Sequence, residues 1–229
     1  MQVAVIVPVL DEQDSIVSCL APLLAEAAQV IVVDGGSSDD TVARARAAGA
    51  MVVDAPRGRA AQMNAGARHA GHFGAAVFVH ADTRLAPGWR SAVEAALARG
   101  RHWGRFDVRL DSARPLLGAV GRMMNLRSRI TGICTGDQAI FLSREAWASC
   151  GGFPEQPLME DVELSRRLRR RHGAPAALRA RVTVSARRWE KHGAWRTIAL
   201  MTLLRSMYFA GASPSTLHRL YYGRGRAPR

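Results

Sequence analysis

Three apolar runs near the start of the chain hand over to carboxylates: Asp11 and Glu12 follow Val9, Asp34 follows Val33, and Asp82 follows Val79. One Asp after a strand commonly caps the next helix. Several gathered on one rim of a sheet would surround a ligand, because ligands of open α/β sheets sit outside the carboxyl ends of the strands. Asp34 opens the turn Asp34-Gly35-Gly36-Ser37-Ser38-Asp39, whose glycines let a base or ribose approach the backbone while the carboxylate accepts its hydrogen bonds. Arg57, Gly58 and Arg59 precede Gln62 and Asn64 at a helix start, which suits a phosphate-bearing ligand; the competing reading is a solvated basic turn. Asp82 can hold a hard divalent cation that bridges a diphosphate. His80 fits a Mn-like ion, or a hydrogen bond to a ribose or to neighbouring backbone. Farther on, Asp161 shares a helical face with Leu164 and Leu168 and is expected to point into the domain, where partial desolvation would raise its pKa and make it a better proton acceptor. Glu163 falls on the side of Arg166, Arg167 and Arg170, and Glu160 fits a carboxylate favoured by the helix dipole.

The elements that must position these groups alternate regularly in the first half. Residues 3–9 form an apolar, β-branched run, and 15–26 carry Ile16, Leu20, Leu23 and Leu24 at helical spacing. The pattern repeats with a strand at 30–33, a helix at 40–48, a strand at 51–53, a helix reaching Ala70 and a strand at 75–79. Such a β-α-β series predicts a mostly parallel sheet covered by helices. In the second half Phe106, Val108 and Leu110 alternate with Arg105, Asp107 and Arg109, which predicts an antiparallel or edge strand with one face towards water or ligand. Residues 116–130 and 160–172 read as helices, 139–142 and 176–184 as strands.

A chain of 229 residues is expected to form one domain, with a nucleotide-binding half (1–110), an acceptor and catalytic half (111–195) and a helical, basic extension (196–229). The formal charge of +13 favours phosphates, nucleic acid or an anionic membrane, although the near-exclusive use of Arg, with Lys191 the single lysine, also fits a coding bias. Cys19, Cys134 and Cys150 show neither zinc nor redox spacing, so a reduced compartment is expected. The start has no basic segment ahead of its apolar run, and secretion is not expected. The apolar stretch 198–212 is broken by Arg205 and is shorter than the roughly 20 residues a spanning helix needs. Together with Tyr221, Tyr222, Arg224, Arg226 and Arg229 it fits a membrane interface, or else a helix packed on the domain with a solvated tail.

These segments, in this order, resemble a family 2 glycosyltransferase with the GT-A fold, over nearly the whole chain to about Trp195. The stretch from Ile6 through Pro8 and Val9 to Asp11 and Glu12 resembles the family's first strand and turn, and Asp34, Gly35 and Ser37 lie in what resembles its nucleoside-binding turn. Arg57, Gly58, Gln62 and Asn64 resemble its third nucleotide-contacting segment. His80-Ala81-Asp82 takes the place of its metal-binding Asp-X-Asp, with His in place of the first Asp, so the resemblance implies Asp82 as the ligand of Mn or Mg. Gly136, Asp137 and Gln138 are similar to the acceptor-side segment, and Glu160-Asp161 to the Glu-Asp pair whose aspartate acts as base. Arg187-Arg188-Trp189 resembles only the end of the Gln-X-X-Arg-Trp motif of processive synthases, since Ser185 stands where the glutamine belongs. The shortness of the chain resembles a small bacterial subgroup likened to carotenoid or lipid glycosyltransferases.

The resemblance implies a Rossmann-like mixed sheet with helices on both faces, and a hexosyltransferase-like enzyme using a nucleotide-diphosphate sugar, UDP-linked by default. Asp161 would take the acceptor's proton in a single inverting displacement, and Arg187 or Arg188 would offset charge on the departing diphosphate. A lipid acceptor, peripheral membrane contact and a cytoplasmic place at the inner membrane face follow as expectations. A nucleotidyltransferase or dinucleotide oxidoreductase is the rival enzyme, but the turn after Val9 has no glycine for either phosphate loop. A basic nucleic-acid-binding module is the other rival; no aromatic strand motif or zinc pattern supports it, and no nucleic-acid partner is expected.

Overall fold

The computed structural model describes residues 1–27 and 29–223. Val3–Val9 forms β1, Gln29–Asp34 β2, Met51–Asp54 β3 and Ala75–Phe78 β4, joined through α1 (Ile16–Glu26), α2 (Thr41–Ala47) and α3 (Arg59–His69). The four strands are parallel in the order β3-β2-β1-β4. The chain therefore builds outward from β1 to β3 and then crosses back to lay β4 on the free side of β1. That reversal leaves a crevice outside the carboxyl ends of β1 and β4, where the helices on either side diverge.

β1 is buried along its whole length because both faces of the sheet are covered. Val3, Val5, Val7 and Val9 belong to one apolar cluster with Ile16, Leu20 and Leu23 of α1; Ala4 and Ile6 belong to the other with Ala60, Met63 and Ala67 of α3. The period-two alternation of the strand thus selects which helix each residue meets.

The second half supplies β5 (Thr83–Leu85), α4 (Trp89–Ala98), β6 (Trp103–Asp111), α5 (Pro115–Thr131), β7 (Ile140–Ser143), α6 (Arg144–Cys150), α7 (Glu160–His172) and β8 (Ala176–Ser185). β7 runs antiparallel between β4 and β6, β8 runs parallel to β6, and β5 pairs antiparallel with β8 at the sheet's end. The eight-stranded mixed sheet with helices on both faces agrees with the GT-A expectation. The expected edge strand is corrected: β6 is antiparallel to β7 but lies inside the sheet. Its polar face meets α5 at Arg105 and Asp107 and water at Arg109. Arg105 is fully buried, paired with Asp107 and donating to the Asn125 carbonyl at 3.1 Å, while the Asn125 amide exchanges bonds of 2.8 and 3.0 Å with the backbone of Val108.

α8 (Arg187–His192), α9 (Ala194–Phe209) and α10 (Pro214–Tyr222) complete the described chain. Leu204 of α9 and Leu217 of α10 are buried in one cluster with Ile133, Met159 and Val162, which docks the C-terminal helices against the start of α7. Among the described residues no helix is long and apolar enough to cross a membrane. Tyr221 and Tyr222 end α10; Arg224, Arg226 and Arg229, invoked above for a membrane interface, lie outside the described residues. The three cysteines are buried and free.

Candidate active site

A cleft of about 130 Å³, partly open to solvent, occupies the crevice between β1 and β4. Pro8, Val9, Leu10 and Glu12 enter it from the end of β1, and His80, Ala81 and Asp82 from the end of β4. Arg59 and Gln62 reach it from α3, Asp137 from a 3-10 turn at Gly136–Gln138, Ser185 from the end of β8, and Arg188 and Trp189 from α8. Most of the sequence-read positions around the nucleotide therefore share one space. Leu10, Val184 and Ser185 line it without having been singled out as contacts, whereas Arg59 is one of the cations read from the helix start, three residues before Gln62 on the same face of α3.

Hydrogen bonds lace the two strand-end turns together. Asp11 accepts from the Ser38 N–H at 2.8 Å, the Glu12 N–H donates to Thr41 Oγ1 at 2.7 Å, and the Gln13 N–H donates to Asp39 at 3.2 Å. Asp34 sits on this rim, but it accepts from the N–H groups of Gly36 and Ser37, each at 3.0 Å, and from Ser37 Oγ at 2.5 Å. With 5% exposure, its carboxylate shapes the turn and does not line the cleft. Gln62 Nε2 donates to the carbonyls of Val9 and Val33 at 2.8 Å each, filling the fork between β1 and β2, and Gly35 has no Cβ to strike that amide. Ser37 belongs to the same rim. Arg57 and Gly58 line an adjoining groove beside Glu155 and Glu160. Asn64 differs from its expected place: both amide atoms bond the backbone of Phe153, at 2.8 and 2.9 Å, because helical rotation carries it away from Arg59 and Gln62 to the outer side of α3.

At the far side of the cleft, His80 Nδ1 lies 3.5 Å from Asp137 Oδ1. Burial opposes the charge on Asp137, but His80, Arg188 and Arg59 prevail and hold its carboxyl well below the usual range. Gly136 is required here, since a Cβ would strike the His80 imidazole. Gln138 is buried and donates to Ser128 Oγ at 3.0 Å, tying the turn to α5. The Gly136 N–H donates to Asp161 Oδ2 at 2.8 Å, while Asp161 Oδ1 accepts from the Val162 N–H at 2.7 Å. Asp161 thus adjoins the cleft through Gly136, and a small cavity of about 10 Å³ lies between His80, Gly136, Glu160 and Asp161.

Of the two adjacent acids, Glu160 is the more deeply buried. Glu160 is 5% exposed, and burial together with the nearby Asp161 pushes its pKa up, against the pull of Arg59. Burial opposes the charge of Arg59 too, but Glu160, Asp137 and Asp161 keep it firmly protonated. Arg187 Nη2 lies 3.3 Å from Glu12 Oε2, a pair that closes α8 over the first turn. Arg188 stacks over Tyr221 at 5.6 Å. Among the described residues the non-glycine positions with positive φ are Asp11, Ala139 and Met159. They follow β1, follow the 3-10 turn and precede Glu160, so backbone strain concentrates around this site.

Asp82 is lightly committed: among the described residues its Oδ1 meets only the Thr83 hydroxyl, at 3.4 Å. Its charge is felt nearby: burial first, then Asp82 and Glu12, push the Cys19 thiol up to about 12. A free carboxylate beside an imidazole and a second carboxylate is a donor set that Mn or Mg accepts. A separate trio, His102, Glu145 and His172, brings ligand-type atoms within 4.8 Å of one another. It lies at the other end of the sheet, where β6 and α6 begin and α7 ends, and does not serve this cleft.

The family described as glycosyl transferase family 2 matches residues 4–139. Comparison with curated proteins returns no match. Among solved structures, the chain is similar to glucosyl-3-phosphoglycerate synthase from Mycobacterium tuberculosis in complex with Mn2+, UDP and glucosyl-3-phosphoglycerate, with 23% identity, a TM-score of 0.58 and coverage of 80% of this chain and 70% of that one. The same enzyme with Mn2+ and UDP-glucose gives 19%, 0.59, 80% and 70%. S. aureus TarS 1–349 gives 17%, 0.62, 81% and 61%. At these identities the likeness concerns the fold.

Proposed function

This chain belongs to glycosyl transferase family 2, and on that premise we propose that it moves a sugar from a nucleoside diphosphate to an acceptor hydroxyl, with inversion at the anomeric carbon. The observation that carries the reading is the gathering of Glu12, His80, Asp82 and Asp137 with Arg59 and Arg188 in one cleft at the crossover of the sheet, next to Asp161. The pyrophosphate lies against Arg59 at the start of α3 and Arg188 of α8, and these cations offset charge on the leaving group. Asp82, with His80 or Asp137, would hold a divalent cation, which when bound would supply Lewis-acid stabilisation of the diphosphate.

Asp161 receives the proton of the acceptor hydroxyl as its oxygen forms the new bond to the anomeric carbon, and the electron pair of the breaking bond leaves with the diphosphate. Gly136 and Val162 orient the carboxylate for that task, fixing both oxygens from the backbone. The whole chain, 1–229, acts as one unit in this reading, its first half taking the donor and residues 111–195 the acceptor. Nucleoside diphosphates should raise the melting temperature, and UDP should do so most strongly with Mn2+ present, because a ligand confined to the folded state stabilises it. A melting temperature unmoved by every nucleoside diphosphate, with and without the ion, would remove the donor reading.

The acceptor is proposed to be lipid-linked and met at the inner face of a membrane. What favours this is the exposed apolar row Leu116, Met123, Leu126 and Ile130 along α5, together with Trp195, Leu203 and Phe209 on α9, in a strongly basic chain. The protein is expected to float with vesicles of anionic phospholipid, and Ile130→Glu to reduce the bound fraction several-fold. A chain that stays at the bottom of the gradient would rule out the membrane while leaving sugar transfer intact.

A further inference from the structure

At the end of the sheet remote from the cleft, three side chains far apart in the chain converge. His102 precedes β6, Glu145 lies in the first turn of α6, and His172 ends α7. The Ser143 N–H donates to the His102 carbonyl at 2.8 Å, and Ser143 Oγ caps α6 by accepting from the Ala146 N–H at 3.2 Å. The start of α6 is thereby fixed against the residue that leads into β6. The buried Trp103 donates its indole N–H to the Gly173 carbonyl at 3.1 Å, which fixes the end of α7 against the same strand. The three positions are thus set by the fold and not by contacts among the three side chains.

Their spacing is that of metal ligands. His102 Nδ1 lies 3.3 Å from Glu145 Oε2, the His102 and His172 ring centroids are 4.8 Å apart, and one ligand-type atom from each residue falls within 4.8 Å of the others. Zinc bound in a tetrahedron at about 2.0–2.2 Å holds its ligand atoms roughly 3.3–3.6 Å apart. The His102–Glu145 pair already stands at that separation. The remaining gap closes by side-chain rotation, for which His102 and Glu145, at 37% and 70% exposure, have room. His172 is oriented from behind: Ser149 Oγ lies 2.6 Å from its Nε2 and donates its own proton to the Ala146 carbonyl at 3.0 Å. With that proton spent, the hydroxyl accepts from Nε2–H, and the neutral ring keeps its lone pair on Nδ1. A hydrogen bond of this kind fixes the tautomer and direction of metal-binding imidazoles. The neighbouring cations are turned to other partners. Arg101 donates to the Ala174 carbonyl at 3.5 Å, Arg144 donates to the Gly71 carbonyl at 3.1 Å, and Arg171 lines a groove with Cys150 and Glu163.

We propose that His102, Glu145 and His172 bind a zinc ion, with water in the fourth position. Two imidazoles and a carboxylate suit zinc, whereas the carboxylates of the cleft suit harder ions, so the two sites differ in the metal they take. The ion joins the beginnings of β6 and α6 to the end of α7, the helix whose opposite end carries Asp161. Its role is that of a staple, and it does not rest on the sugar-transfer reading.

Zinc chloride is the probe, titrated by calorimetry into the full, tag-free chain after chelator treatment. Asp82→Asn serves as the reference chain, because it removes the cleft's own ligand. The reference is expected to take up one zinc ion, and addition of His102→Gln or His172→Gln to weaken that uptake at least about 100-fold, since even partners behind a metal ligand are worth about 10–100-fold. Zinc should also raise the melting temperature of the reference and leave that of the chain lacking both histidines unmoved. No zinc binding by the reference overturns the proposal, as does zinc binding retained without the two histidines. Should the variants not fold, zinc-soaked crystals of the wild type decide through anomalous scattering at the zinc edge. A peak between the three side chains supports the site, and peaks found only elsewhere overturn it.

Discussion

Asp161→Asn is expected to lower sugar transfer by roughly 10²- to 10⁴-fold, the range that a positioned general base contributes, while UDP affinity changes by less than about twofold. The amide keeps the shape of the side chain but cannot take the acceptor's proton. It also meets the backbone differently. Both carboxylate oxygens now accept, one from Gly136 and one from Val162. An amide has one oxygen, so its NH2 must face an N–H group, at a cost of about 1–3 kcal/mol. A modest fall in melting temperature should therefore accompany the loss of rate, and calorimetric UDP titration separates the two effects. Transfer above a tenth of the wild-type rate would take Asp161 out of the mechanism. Glu160→Gln is the informative contrast: Glu160 is nearly closed off from solvent, and burial already disfavours its charge, so its neutral substitute should retain much more activity.

The parts of this site legible in the sequence are those set by strand ends. Where a buried parallel strand stops, the next residues must lie on the sheet's carboxyl rim, so Glu12 and Asp82 could be placed together from apolar patterning alone. Asp34 could be placed on the rim but not oriented. Its turn carries three donors of its own, from Gly36 and Ser37, and local hydrogen bonding of that kind is not encoded in hydrophobic periodicity. Asn64 shows a related limit: it lies two residues after Gln62 in α3, yet helical rotation sends one side chain into the fork between β1 and β2 and the other to Phe153. The interior place of β6 was hidden because Arg105 and Asp107 read as solvent-facing polar residues until they are seen to neutralise each other beneath α5.

Asp82→Asn should abolish the dependence of UDP binding on Mn2+. The reasoning starts from what the side chain lacks. Among the described residues its carboxylate has a single weak contact, with Thr83 at 3.4 Å, so the substitution should disturb few native hydrogen bonds and the variant should fold. What it loses is charge in a cleft already crossed by the cations Arg59 and Arg188. Even outer partners of a metal ligand are worth about 10–100-fold in metal affinity, and a direct carboxylate ligand should be worth at least about 100-fold. UDP measured with Mn2+ should then bind the variant as weakly as it binds the wild type in the presence of chelator. The substitution also removes one of the two carboxylates that add to burial in holding the Cys19 thiol up at about 12, so the thiol should ionise at lower pH in the variant, a readout independent of any ligand. If the thiol responds and the Mn2+ dependence of UDP binding persists, Asp82 faces the cleft but the cation is held elsewhere, with His80 and Asp137 the residues to test next.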